Sequence, residues 1–252
     1  MATQRYQSVN DAMNQVAVEV GLAPVPDALS SSDAAFIQLR YLLNSSLQEL
    51  MEMYPWQILT RQFQHTTTVG EEGKLDLPSD FAYMIDQTGW DRSNNVPLAG
   101  PLSAQDWTYL LGRDLVGSTI YASFRFDQNQ LWIFPQDPMP SGLDINFEYI
   151  SRNFIQLAGV TPTEYSDTIE TSADVILFPP QLVTRLLKVK FLEAKGFDSQ
   201  KAQDSFWQSF GSWTGKDNSA AILSAGSGSR TGGIPYLNGF YNTPDTGFGG
   251  AM

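Results

Sequence analysis

The sequence predicts an α+β fold: a helical bundle built from N- and C-terminal helices, a central antiparallel β-rich insertion, and an extended C-terminal arm. Three observations predict it. Apolar residues recur at steps of three and four before Pro55 and again after Pro180, the spacing of a buried helix stripe. Between residues 118 and 150 they alternate with polar residues, the period of a strand with one face buried. Beyond Trp213 the composition turns abruptly to Gly, Ser, Asn and Thr, which cannot bury enough apolar surface to offset the entropy of ordering. These changes of pattern divide the chain into residues 1–56, 57–156, 157–214 and 215–252: N-terminal helices, β insertion, C-terminal helices and arm.

Each element has its own signal. "SVNDAMNQVAVEVGL" reads as a short helix capped by Ser8 or Asn10 and stopped at Gly21 and Pro24, and "APVPDALSSS" follows as a linker. Ser30 and Asp33 have the spacing of a capping box. Phe36, Leu39, Leu43, Leu47, Leu50 and Tyr54 then mark a long amphipathic helix ended by Pro55. "WQILTRQFQHTTTV" is rich in β-branched and aromatic residues and reads as strand; "KLDL" and "DFAYMIDQTGW" are shorter extended pieces; "SAQDWTYLLGRD" is a brief helix capped by Ser103.

"STIYASFRF", "LWIFP" and "LDINFEYI" are expected to form a three-stranded meander. Ile120, Ala122, Phe124 and Phe126 share one face of its first strand, and Leu143, Ile145, Phe147 and Tyr149 one face of its last. In "PPQLVTRLLKVKFLEAKGF" the prolines suit a first helical turn, Leu182, Leu186, Val189 and Leu192 form a stripe, and Gly196 suits the left-handed cap. Asp198 caps a last helix with Ala202, Phe206, Phe210 and Trp213 along one side.

Composition excludes several functions. The 252 residues carry a formal net charge of -12, which disfavours a surface that grips nucleic acid. There is no cysteine and one histidine, His65, so disulfides, thiol nucleophiles and multi-histidine metal sites are excluded. "MATQRYQSVNDAMNQ" lacks a signal-peptide pattern, and no apolar run is long enough to span a bilayer, so synthesis in the cytoplasm without membrane association is expected.

No nucleotide-binding loop, nucleophile elbow or zinc-protease motif occurs, and no cofactor and no enzymatic activity are expected. "AGSGSRTGG" lacks the strand and helix that a phosphate cradle needs, and reads as linker. His65 in "FQHTTTV" is expected to be structural, and the acids of "EEG", "DLPSD" and "NFEYI" to be solvated, though paired carboxylates could in principle cleave glycosides. Trp56, Trp90, Trp107, Trp132, Trp207 and Trp213 are core by default. If several were exposed and coplanar, the chain could instead be a carbohydrate- or peptidoglycan-binding module.

The order "YPWQILTRQ", "KLDLPSDFAYMIDQTGWD", "PLAGPLSAQDW", "LWIFPQDPMPSGLDINFEYISRN" resembles the head-to-tail adaptors, or connectors, of short-tailed bacteriophages, the tail tubular protein A type. The likeness runs from about residue 35 to about residue 210. It implies a virion protein at the neck between capsid and tail. About twelve copies would form a ring, a dodecamer, between the portal protein and the tail nozzle protein, and pass double-stranded DNA through the lumen without specific binding during genome ejection. It further implies bundle helices around 31–54 and 180–213, the β insertion at 57–156, and an arm over 216–252 that can dock on portal. Twelve copies at -12 give roughly -140 formal charges, which would keep DNA from adhering and oppose ring closure in free solution. Free protein is therefore expected to be monomeric. On the arm, Ile234, Tyr236, Leu237, Phe240 and Tyr241 are the expected portal-binding anchors, since a few aromatic and aliphatic residues carry most interface energy.

Overall fold

The computed structural model describes residues 6–112, 123–134 and 139–217. The first half begins with β1 (Gln7–Ser8), α1 (Val9–Glu19) and α2 (Ala34–Met53). Then come β2 (Thr60–Thr66), β3 (Lys74–Asp76), β4 (Phe81–Met84), β5 (Trp90–Asp91), β6 (Val96–Pro97) and α3 (Ala104–Gly112). After these follow β7 (Ser123–Asp127), β8 (Gln130–Phe134), β9 (Asp144–Ser151), β10 (Ile155–Gln156), β11 (Tyr165–Ser166) and β12 (Val175–Ile176). The last described elements are α4 (Pro180–Ala194) and α5 (Gln200–Asp217). The α+β class predicted by the sequence is observed.

Two compact units divide the described residues, one from 6–59 and 151–217 and the other from the residues between 60 and 150. In the first, α4 packs against α1, α2 and α5. Its buried side extends beyond the predicted stripe: Val183, Leu187 and Phe191 join Leu182, Leu186 and Val189, while Leu192 is half-buried. A helix touched by three others must be apolar over most of its circumference. Lys188 and Lys190 pair across helices with Glu19 and Glu49.

Ser8 caps α1 by accepting the Asp11 N–H, Asp198 accepts the Gln200 N–H at the start of α5, and α5 runs to Asp217. The expected capping box is corrected: Asp33 itself is the cap of α2, accepting the Ala35 N–H at 2.8 Å. The linker after α1 is held by side chains rather than by turns alone. Asn14 exchanges hydrogen bonds with both the N–H and the C=O of Val25, and Asn10 does the same with the Ala28 N–H and the Pro26 carbonyl.

A four-stranded sheet in the order β1-β12-β10-β11, absent from the sequence reading, belongs to this first unit. Residues 157–179 carry two of its strands, so helix begins again only at Pro180. The segment before β12 is organised by Asp174, 1% exposed, whose carboxylate accepts from the N–H groups of Ala158, Glu170 and Thr171 and from the Thr171 hydroxyl. Burial pushes this carboxyl up, and the donors from Thr171, Ala158 and Glu170 outweigh it, leaving the pKa below the ordinary value. A lowered folded pKa stabilises the fold above the unfolded carboxylate pKa of ~3.9, and that contribution is lost as pH falls further. Asp174→Asn, which turns two acceptor sites into an N–H₂ facing donors, should cost about 2–3 kcal/mol at pH 7. Urea midpoints of the two proteins should converge below pH 4; a constant gap would contradict this assignment.

In the second unit, β2 pairs along its whole length with β9, β5 and β6 follow on the other side, and β4 also pairs with β9. A separate sheet runs β3-β8-β7. The predicted meander is therefore corrected: β7 and β8 form a hairpin, but β8 pairs next with β3, and β9 leaves for the other sheet. Alternation names the buried face of a strand and is silent about its neighbour. The predicted faces hold where they are described, with Phe124, Ile145, Phe147 and Tyr149 in one core alongside half-buried Phe126 and Leu143. Ile120 and Ala122 lie outside the described residues. Ser103 caps α3 through the Asp106 N–H.

Candidate interaction surfaces

His65 and several of the acids that could have carried chemistry are engaged with neighbouring groups, while Glu148 on β9 is exposed. On β2, His65 Nε2 lies 2.6 Å from Glu71 Oε1, while Glu71 Oε2 accepts the Thr68 N–H at 2.7 Å and its hydroxyl at 3.2 Å. The Thr68 N–H, against the opposing effect of burial and aided by His65, holds the Glu71 carboxyl below its ordinary pKa. Both residues close the turn between β2 and β3. Asp80 accepts the Tyr149 hydroxyl at 3.0 Å, and burial together with this bond pushes that phenol up to about 12. Glu72 pairs with Lys74, and Asp76 accepts from Gln130 across the β3–β8 pair. Among the described residues no group of three or more His, Asp or Glu side chains could hold a metal ion.

The tryptophans separate by burial. Trp56 and Trp107 are buried, Trp90, Trp132 and Trp213 are half-buried, and Trp207 is 56% exposed. Trp107 and Trp132 meet at 54° rather than edge to edge in one plane. The several-tryptophan platform that a sugar-binding module would use is not formed among the described residues.

Large apolar groups stand in solvent on the first unit. Ile37 and Tyr41, the latter 71% exposed, are four residues apart on one face of α2; Val18, Phe197 and Trp207 add to them. Two concavities lie in the same unit. One, of about 550 Å³, is lined by α1, α4 and α5 and mixes Arg185, Lys188 and Lys201 with Glu19 and Asp198. Its charges are partly spent internally: Arg185 donates to the Ser205 carbonyl and Lys188 pairs with Glu19 at 3.0 Å. The other, of about 380 Å³, has Tyr6, Leu177, Pro179, Pro180 and Trp213 on its walls and sits at the C-terminal end of α5. Tyr54 lies in this unit too, its phenol pushed up by burial and by Asp217.

The five predicted anchors, Ile234, Tyr236, Leu237, Phe240 and Tyr241, lie outside the described residues, as does "AGSGSRTGG". The surface residues Ile37, Tyr41 and Trp207 were missed because stripe analysis rewards apolar residues that fall into register and ignores single ones off it. No helix among the described residues is long and apolar enough to cross a membrane. In comparison with known proteins, the chain matches no family profile and no curated protein.

Proposed function

We propose that this chain is a structural head-to-tail adaptor of a phage virion, a ring-forming component between portal and tail nozzle. The observation that carries the reading is the placement of its parts. In the unit formed by the residues before 60 and after 150, α1, α2 and α5 pack against α4, and this helical unit presents Ile37, Tyr41, Val18 and Trp207 to solvent. Ile37 and Tyr41, one turn apart on α2 and both in solvent, suit contact with a neighbouring copy. The ordered motifs from "YPWQILTRQ" to "EYISRN" support the same reading, and so does the net charge of -12, which favours a lumen that does not hold DNA.

The test is electron microscopy of the protein mixed with portal rings from the same genome, beside a truncation after Asp217, where α5 ends. The full chain should decorate portal with the portal's rotational symmetry, and the truncated chain should keep its circular dichroism and fail to attach. Bare portals with the full chain would refute the adaptor reading; equal attachment by both chains would refute the arm's role.

A further inference from the structure

We propose, resting on the reading of the chain as a ring-forming component, that α2 of one copy packs antiparallel on α5 of the next. α2 and α5 both pack on α4, and each leaves one side uncovered. On α2, Ile37, Tyr41, Ser45, Gln48 and Glu52 recur at steps of three and four away from the buried Phe36, Leu39, Leu43, Leu47 and Leu50, and all five are exposed. On α5, Gln200, Asp204, Trp207, Gly211 and Gly215 form the corresponding exposed row, away from the buried Phe206 and Ser209.

The two rows are complementary in size. α2 carries its bulk at Ile37 and Tyr41 and is small at Ser45; α5 carries its bulk at Trp207 and is small at Gly211 and Gly215. With Ile37 set over Gly215 and the helices antiparallel, the same steps of four and three bring Tyr41 over Gly211, Ser45 to Trp207, Gln48 to Asp204 and Glu52 to Gln200. Each large group on one helix then faces a small one on the other. Neither glycine holds a positive φ, and an added Cβ at either would meet nothing within 4 Å, so packing among the described residues does not call for them. Glycine is disfavoured inside a helix, and its use on an exposed row is to let a second backbone come close.

Charge sets the direction. Antiparallel seating brings Lys201, beside Gln200, to Glu52 and lets the Gln48 amide donate to the Asp204 carboxylate. Glu52, Lys201 and Asp204 form no ion pair among the described residues. A parallel seating that kept Ile37 and Tyr41 over the two glycines would carry Gln48 and Glu52 past Asp217, where α5 ends, and would bring Asp204 within about one turn of Asp33, like charge to like. Because the two faces differ, a copy that receives α2 on its α5 still offers its own α2, so the contact propagates from copy to copy and closes as a ring where the rotation allows. One helix pair is small beside the roughly 1,200 Å² that a stable complex buries, so dilute chains stay apart, whereas in a closed ring every copy makes the contact twice.

The chain has no cysteine, so disulfide trapping between single variants of the full chain is the test. Ile37→Cys mixed with Gly215→Cys, and Gln48→Cys mixed with Asp204→Cys, are the matched pairs. Ile37→Cys with Asp204→Cys, and Gln48→Cys with Gly215→Cys, exchange partners among the same four chains and are the mismatched pairs; all four positions are exposed. In concentrated protein at about 0.5 M salt, repulsion between the acidic copies is screened. Matched pairs should then form mixed disulfides at least about 5-fold faster, since the bond needs Cα atoms within roughly 7 Å and the mismatched sites lie about 16 Å apart along the helices. Equal rates in matched and mismatched pairs, or no mixed disulfide in either, would overturn the proposal. Trapping of the Ile37 and Gly215 pair alone would reverse the helix direction and overturn it too. Faster labelling of the Ile37→Cys thiol after truncation at Asp217, without trapping, would give the α2 face to the chain's own C-terminal residues, with the same consequence. Portal decoration reads out separately: decorated portals without matched trapping would remove this interface and keep the adaptor, and matched trapping beside bare portals would keep the interface and remove the adaptor.

Discussion

Gly100→Ala is expected to destabilise the β-rich unit by about 3–5 kcal/mol, the sum of a backbone term and a packing term. Gly100 holds φ at +147, a conformation open to glycine and hostile to any residue with a Cβ. The added methyl would collide with the Phe124 carbonyl oxygen and lie 3.0 Å from Cδ1 of the same residue. Neither neighbour can yield. The Phe124 carbonyl already accepts the Leu102 N–H at 2.9 Å, its N–H donates to the Ala99 carbonyl at 2.9 Å, and its ring is wholly buried. Gly112→Ala, where an added Cβ meets nothing within 4 Å at the end of α3, is the control. It should be neutral or stabilising by up to about 1 kcal/mol. Equal denaturation midpoints for the two variants would show that the chain passes Phe124 less closely than described.

How much of this was written in the sequence depends on the range of the interaction. The helices were legible because their signals are local: apolar steps of three and four for α2 and α5, prolines at the first turn of α4, Ser8, Ser103 and Asp198 as caps. So were the buried faces of β7 and β9. Partnership was not legible. Thr60 pairs with Ile150 and Thr66 with Asp144, residues far apart in sequence, and nothing in either strand's alternation names the other. The strands β1, β10, β11 and β12 have two residues each, too few to show any period. Asp174 in "TSADV" looks like one more surface acid; its four donors converge only after the chain has folded.

Trp56→Ala should be the most damaging single change in the helical unit, at about 3–5 kcal/mol. The indole is 2% exposed and meets Tyr54, Phe178 and Phe210 edge-on, with ring centres 5.0, 5.7 and 6.1 Å away. Its truncation leaves a cavity among groups from three separate stretches of chain, which cannot close on it without moving α5. The ring also completes α2. The last four carbonyls of a helix lack partners within it, and the Trp56 Nε1–H donates to one of them, Leu50, at 2.6 Å. Trp56→Phe separates the two roles, since it keeps most of the apolar volume and gives up the bond. It should cost about 1–3 kcal/mol, the penalty of a buried carbonyl left unpaired together with a smaller void. Urea unfolding followed by far-ultraviolet circular dichroism measures both. If Trp56→Phe proved as damaging as Trp56→Ala, the hydrogen bond that ends α2 would outweigh the packing of the ring. If Trp56→Phe proved neutral, Leu50 would have another donor, and the indole would act through its volume alone.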